Sequence, residues 1–554
     1  MSSTTAAPET LRPAAPPAAA GNALAGTRTL IRFALRRDRI RLPAWVLALA
    51  LATLSTANSL GTLYADPEDR AKAVAGVDTP AGLAMSGPRH YLVDDGLGSI
   101  LSHQMLGFMA VLVGLMSVLT VTRHTRAEEE TGRAELVRSA VVGRHAHLAA
   151  ALSVAALANI VLALLLALGL TGLGLEGVDA RGSLVYGSAH AAAGLVFAAV
   201  AAVTVQVTAH TRGASGLALA VIGGAYVLRA AGDSGGSDAL SWLSPVGWAQ
   251  RSYPYVDDRW WPLALCLVCA AACAAAGFAL SVRRDVGAAL RPGRPGRARA
   301  SAALTGPVGL ALRLHRGTLA GFCAGMFLMG AMYGSILGDA EDMLGGLDEI
   351  EEALERIGGS GVVESFASMV MVVLAVVAAV HVVMAALRPR AEESAGRAEP
   401  LLATALSRSR WAGGHLAVAL VGGTAVLASA GLGFGLAGAA STGDPGLVPE
   451  LLGAALAYAP ALWVTAGVAA VLYGWFPRAV RAAWIVPVYA FVVGYLGEIL
   501  RFPAWTQNLS PFGHVPRLPA DDLSWTPLAL LTCVAAGLVG LGLAGFRRRD
   551  LDLK

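Results

Sequence analysis

Two stretches of this chain read alike: RAEEETGRAELVRSAVVGR at residues 126–144 and RAEESAGRAEPLLATALSR at residues 390–408. At an offset of 264 and without a gap, Arg126, Glu128, Glu129, Gly132, Arg133, Ala134, Glu135 and Arg144 fall on Arg390, Glu392, Glu393, Gly396, Arg397, Ala398, Glu399 and Arg408. Two echoes follow at nearly the same offset. Ser244-Pro245-Val246-Gly247 answers Ser510-Pro511-Phe512-Gly513, and Asp257-Asp258 answers Asp521-Asp522, each acidic pair being followed by an aromatic residue and a Pro-Leu apolar start. Three matches in one order point to an internal duplication.

Working outward from either stretch, the flanks are apolar. Of 554 residues, 55% are hydrophobic and 14% charged, with mean hydropathy +0.60; soluble domains carry about 25% charged residues. Apolar windows near residues 43–63, 98–122, 146–173, 183–208, 214–231 and 261–282, then 317–337, 362–387, 411–438, 450–474, 480–500 and 525–546, are each long enough for a bilayer that needs roughly 20 residues per helix. The expected fold is an all-α polytopic membrane protein of about 12 transmembrane helices in two parallel six-span repeats. An even number of spans per repeat gives both copies the same orientation.

The expected divisions are a disordered tail (1–22), an interfacial amphipathic helix (23–42), a first half (43–284), a linker rich in Arg, Pro and Gly (285–307) and a second half (308–554). In the interfacial segment, Arg28, Arg32, Arg36, Arg37, Arg39 and Arg41 alternate with Leu30, Ile31, Phe33, Leu35 and Ile40. The basic stretch follows a polar Ala/Pro-rich opening, which is not the order of a cleaved signal peptide. With the N-terminus inside, 32 of the 42 Lys and Arg fall on the cytoplasmic side and 26 of the 38 Asp and Glu on the outer side. That partition predicts a multi-pass protein of the plasma membrane with both termini cytoplasmic. The net charge of +4 does not imply nucleic acid, because the arginines flank apolar runs.

Both copies of the motif then lie in the first cytoplasmic loop of a half. Glu128 and Glu135, like Glu392 and Glu399, are seven apart and share a helical face, and Gly132 or Gly396 marks a bend. The charges persist in both copies while the neighbouring spans have diverged, so the loops are expected to be docking surfaces facing solvent, Glu129 and Glu393 included.

Other chemistry finds little support. A phosphate cradle requires G-x-x-x-x-G-K-[ST], and the two lysines, Lys72 between alanines and Lys554 at the end, do not fit it. No nucleotide site, catalytic residue or metal site is expected on the chain. Cys266, Cys269, Cys273, Cys323 and Cys533 lie in apolar runs and read as small buried packing residues. The acidic pairs Asp94-Asp95, Asp257-Asp258 and Asp521-Asp522 suit outer loops and helix starts. Ion coupling needs ionisable groups deep in the membrane; the candidates are Glu364, Glu498 and Arg229 near span ends, with His190, His381 and Gln206 further in. Arg229 and Glu498 are placed to pair across the halves. Residues 339–357, with eight carboxylates and Leu344, Leu347, Ile350, Leu354 and Ile357 on one stripe, read as an outer amphipathic helix.

The six spans per half, the interfacial first helix, the S-P-x-G elements and the E-x-x-G-x-x-E loops ending in an arginine make the chain resemble the membrane subunits of ATP-binding-cassette exporters, in particular the fused twelve-span actinobacterial permeases of the tetronasin and polyketide-antibiotic type. The resemblance implies that Arg126, Glu128, Glu129, Gly132, Arg133, Glu135 and Arg144, with Arg390, Glu392, Glu393, Gly396, Arg397, Glu399 and Arg408, couple the permease to two copies of a separate cytoplasmic ATPase, which would carry ATP and Mg. Membrane lipids and a lipophilic small-molecule substrate are the other implied partners. The first copy departs from the usual Ser-Arg ending, with Gly143-Arg144 where the second has Ser407-Arg408. The alternative is an ion-coupled secondary carrier of the major facilitator type, which would show a G-x-x-x-D-R-x-G-R-R-like loop after the second span where this chain reads EEETGRAE.

Overall fold

The computed structural model describes residues 22–235, 238–285, 287–290, 298–339, 362–495 and 504–550. Regular structure among them is helical, with no strand. The chain divides into two compact units, Met1–Arg294 and Pro295–Lys554.

The first unit contains α1 (Thr27–Arg37), α2 (Arg41–Leu63), α3 (Pro67–Val77), α4 (Pro80–Met85), α5 (Leu97–His124), α6 (Arg126–Glu130), α7 (Arg133–Arg138), α8 (Ala146–Leu173), α9 (Ala180–Val207), α10 (Thr211–Ser234), α11 (Pro245–Gln250) and α12 (Trp261–Ser281). Helix α9 forms its centre, packed on α5, α8 and α12. Small side chains make this possible: a Cβ at Gly277 of α12 would stand 3.0 Å from the Cβ of Ala202 on α9, so the two backbones run close together.

The second unit contains α13 (Pro307–Gly334), α14 (Val362–Ala386), α15 (Arg388–Ser394), α16 (Ala398–Leu402), α17 (Arg408–Thr442), α18 (Leu447–Ala457), α19 (Ala459–Trp475), α20 (Ile485–Tyr495), α21 (Ala504–Asn508) and α22 (Trp525–Arg548). Its α17 packs on α13 and α14, and α19 on α22. At the α19–α22 crossing a Cβ on Gly474 would lie 2.2 Å from the carbonyl oxygen of Gly542, so only glycine allows that approach.

Among the described residues eleven helical runs are long and apolar enough to cross a membrane, α5 with α6, α14 with α15 and α18 with α19 each counting as one broken run. The window at 480–500 yields a shorter apolar helix, Val480–Gly494, and its remaining residues lie outside the described set. Leu51, Leu168, Val268, Val421 and Leu530 are each more than half exposed on these runs, an arrangement that lipid, not water, accommodates. The seventh run begins at Pro307, ten residues before the expected 317, because α13 carries Arg313 and Arg316 in its first turns, where an apolar window stops but a helix does not. Of the cysteines, Cys266 is buried as packing requires and Cys269, Cys273 and Cys323 are partly buried, whereas Cys533 is exposed on α22, which corrects its reading as a buried residue. The tail at 1–21 and the acidic segment at 340–361 lie outside the described residues.

Candidate functional site

The first motif loop starts where α5 breaks at Thr125, with φ −125° and ψ −87°. Helix α6 follows, then Gly132 at φ +72°, then α7. The second loop repeats the turn with Gly396 at φ +70° between α15 and α16. Nothing stands within 4 Å of a Cβ built on either glycine, so the residue type answers to left-handed backbone and not to crowding. In the S-P-x-G elements the reason is the opposite. A Cβ on Gly247 would lie 2.2 Å from the Ser241 carbonyl oxygen and one on Gly513 2.4 Å from that of Gln507, while Ser244 and Ser510 accept backbone N–H bonds from the short helices they start.

Each motif has an inner, buried layer. Arg126, 1% exposed, donates from Nε to the Thr208 carbonyl (2.7 Å), from Nη2 to that of Ala288 (2.8 Å) and from Nη1 to Glu129 Oε2 (2.5 Å). Glu129 also receives both terminal nitrogens of Arg284, at 2.8 and 2.9 Å, while Arg284 Nε donates to Gln206 Oε1 at 2.5 Å. Arg284 lies three residues beyond α12, which the close α9–α12 packing aims at the end of α9. Glu128 pairs with Arg37 at the end of α1, and Glu130 accepts from the Thr211 backbone N–H (3.1 Å) at the start of α10. The loop is also tied to the chain before α1: Gly143 N and His145 N donate to the carbonyls of Ala25 and Ala23, both at 2.9 Å.

The second loop is built the same way with different accessories. Arg549, just past α22, grips Glu393 with both terminal nitrogens at 2.6 and 2.9 Å, and Tyr473 of α19 donates its hydroxyl to the same carboxylate at 2.9 Å. Arg390 stands 3.7 Å from it. The Arg549 guanidinium lies 4.8 Å from the Tyr473 ring centre and 5.1 Å from that of Phe546. Burial pulls its pKa down, but the Glu393 hydrogen bonds and charge prevail and hold it above the ordinary arginine value. Arg408 Nη1 donates to the Arg549 carbonyl at 2.7 Å. Glu392 finds its partners within the loop, Arg388 at 2.8 Å and Arg397 at 2.6 Å, and the latter bond raises the Arg397 pKa.

The motif therefore splits in two. Arg126, Glu128, Glu129, Glu392 and Glu393 are buried or nearly so, which corrects the expectation that Glu129 and Glu393 face solvent: Glu129 has a side chain 7% exposed, and that of Glu393 is fully buried. A carboxylate placed there needs positive charge, and besides Arg126 or Arg390 three residues before it each has an arginine that lies more than 150 residues along the chain. The outer layer consists of Arg133, Glu135 and Arg144 with the apolar Leu136 and Val141, 76% and 95% exposed, and of Arg397 and Glu399 in the second loop. Arg390 and Arg408 are half-buried. The arginines Arg284 and Arg549 escaped the reading of the motif, although they stand at an offset of 265, each a few residues after the last apolar run of its unit.

The remaining candidates serve local roles. Arg229, fully buried, lies 3.6 Å from Asp233 and donates to the Met85 carbonyl at 2.8 Å, so its charge is balanced within the first unit; Glu498, its expected partner, lies outside the described residues. Arg251 joins the same Asp233 at 3.2 Å. His190 Nδ1 is 2.8 Å from the Tyr186 carbonyl one turn earlier, and His381 rests against the Phe322 ring. Gln206 belongs to the Arg284 clasp. Asp257 meets His90 (2.8 Å) and Arg259 (2.5 Å), and Asp258 meets Arg181 (3.4 Å). Among the described residues no three His, Cys, Asp or Glu converge as a metal site would require.

The family described as multidrug efflux system permease Rv1217c, C-terminal domain, matches residues 28–280 and 304–547, stretches that take in both motif loops and stop just short of Arg284 and Arg549. The chain is also 41% identical over 536 residues to the multidrug efflux system permease protein Rv1217c of Mycobacterium tuberculosis, covering 96% of each. Both motif loops falling inside the match, and nearly the whole length being shared, this chain belongs to the Rv1217c family of multidrug efflux system permeases.

Proposed function

We propose that this chain is the membrane subunit of an efflux system that moves lipophilic compounds, polyketide antibiotics of the tetronasin type or other drugs, out of the cell, with energy from ATP hydrolysed by a separate cytoplasmic ATPase. Two copies of that ATPase dock on the two motif loops, and both termini of the permease lie in the cytoplasm. The observation that carries this reading is the paired architecture of the loops. Each has an exposed charged strip over a buried carboxylate clasped to the end of its own unit's last span, so a push on the strip is delivered to a transmembrane helix and not dissipated in a free loop. Family membership supports efflux, and the missing P-loop supports a separate energy source. Purification in mild detergent with mass spectrometry of the co-purifying proteins tests it. A P-loop ATPase at about two per permease is expected; its absence under gentle conditions, together with transport that runs on an imposed pH gradient without ATP, would overturn the reading.

A further inference from the structure

The second unit contains a cavity of about 740 Å³, inside the roughly 300–1,000 Å³ of ordinary small-molecule sites. Helices α18 and α19 form one wall, and the start of α22 with the Leu518–Pro519 turn forms the other. It occupies the end of the spans away from the motif. Helix α17 leaves the motif at Arg408 and reaches Thr442 before α18 begins, while α22 begins at Trp525 and returns to the clasp at Arg549.

The opening follows from side-chain size. Pro449, Gly453, Ala457 and Pro460 recur at helical spacing along one face, where nothing bulky fills the gap, and Pro460 sits in the first turn of α19 beside the break at Tyr458. Across from them Trp525, Leu528, Ala529 and Thr532 share the facing side of α22.

The polar furnishing is sparse and of one sign. Glu450, exposed in the first turn of α18, is the one charged residue among the described lining residues and makes no ion pair among the described residues. Trp463 is held by a hydrogen bond from Nε1 to Thr424 Oγ1 at 3.1 Å, and Trp525 stands 73% exposed at the edge. Two indole side chains and a carboxylate lining an apolar hollow favour a lipophilic body that carries positive charge over one that carries negative charge. An acyl chain would use the walls and leave the carboxylate without a role.

From this we infer that the cavity binds lipophilic monocations, the apolar body lying between α18–α19 and α22 and the charge facing Glu450. The inference deepens the efflux reading by naming a substrate class, and it rests on that reading for its physiological meaning. The competing account of Glu450 is simple stabilisation of a helix start by an acid, which predicts a change in stability without a change in ligand selectivity.

The test uses the full chain in phosphatidylcholine nanodiscs, with empty discs subtracted, and measures equilibrium binding of tetraphenylphosphonium and of tetraphenylborate, which has nearly the same shape and opposite charge. Tetraphenylphosphonium should bind the wild-type chain, Glu450→Gln should weaken it about tenfold, and Glu450→Asp should retain most of the affinity. Tetraphenylborate affinity should not fall in Glu450→Gln. Ala529→Trp, which keeps the carboxylate and fills the hollow from the α22 wall, should remove phosphonium binding. Thermal unfolding of each variant confirms that the protein compared is folded. Absence of phosphonium binding to the wild-type chain, equal phosphonium affinity in wild type and Glu450→Gln, or an equal loss for both ions would overturn the proposal. No ATPase or ATP enters this assay, so its failure leaves the docking reading standing, and a failure of ATPase co-purification leaves the binding result standing.

Discussion

Reversing Glu135 with Glu399 and reversing Glu129 with Glu393 are different experiments, although all four acids belong to one repeated motif. The first pair is exposed; Glu135→Lys with Glu399→Lys should leave insertion and melting temperature near normal while lowering ATP-dependent transport and partner retention severalfold. Unchanged transport in that double variant would remove the docking strips from the mechanism. The second pair is clasped, and breaking one partner of a buried ion pair costs about 3–5 kcal/mol. Arg284→Ala and Arg549→Ala should therefore each lower the melting temperature in detergent and reduce the folded yield, with Arg549→Ala leaving Glu393 to the Tyr473 hydroxyl and the more distant Arg390. Equal melting of Arg284→Ala and wild type would show that the clasp does not hold the fold. Spacing placed Glu128 and Glu135, like Glu392 and Glu399, on one helical face, and the structure overturns this: the left-handed glycine breaks each stretch into two helices, leaving Glu128 and Glu392 buried and Glu135 and Glu399 exposed. Nor could spacing tell that Glu129 and Glu393 turn inward, since the arginines that clasp them are 155 and 156 residues away.

Helices were the most legible level, because apolar length is a local property of sequence. Ten of the twelve windows fall on described helices within a few residues at each end, the seventh starts early, and the eleventh runs out of the described set. What windows cannot register is a break inside a run, such as Thr125 between α5 and α6 or Tyr458 between α18 and α19, where the chain stays apolar or charged but its direction changes. Orientation is a prediction at this scale, carried by the arginine partition. In a cysteine-free variant, a cysteine at Asp444 should react with an impermeant reagent added to intact cells, and one at Ser139 should not; both sites are exposed in their loops. Labelling of Ser139 from outside would invert the topology.

For the whole molecule, the source of energy is the decisive property. Glu364 opens α14 at the end of the run away from the motif, and Glu364 and Glu498 are the two acids the sequence offers for ion coupling, too few for a proton relay through a bilayer. Transport in inside-out vesicles should accordingly require ATP and the partner ATPase, persist when an uncoupler collapses the proton gradient, and fall only modestly in Glu364→Gln. Uptake that the uncoupler abolishes would return the protein to the ion-coupled class. The clasps bear on how such a protein is made. At a ribosomal pace of about 5–20 residues per second, Glu129 is synthesised roughly 8–30 s before Arg284. During that interval Glu129 has Arg126 beside it but lacks Arg284, its second arginine partner, so the clasp between the loop and the end of the sixth span cannot close until that span has been made. A ribosome stalled between the two residues would leave behind an inserted half whose first motif loop is not yet fastened to its last span.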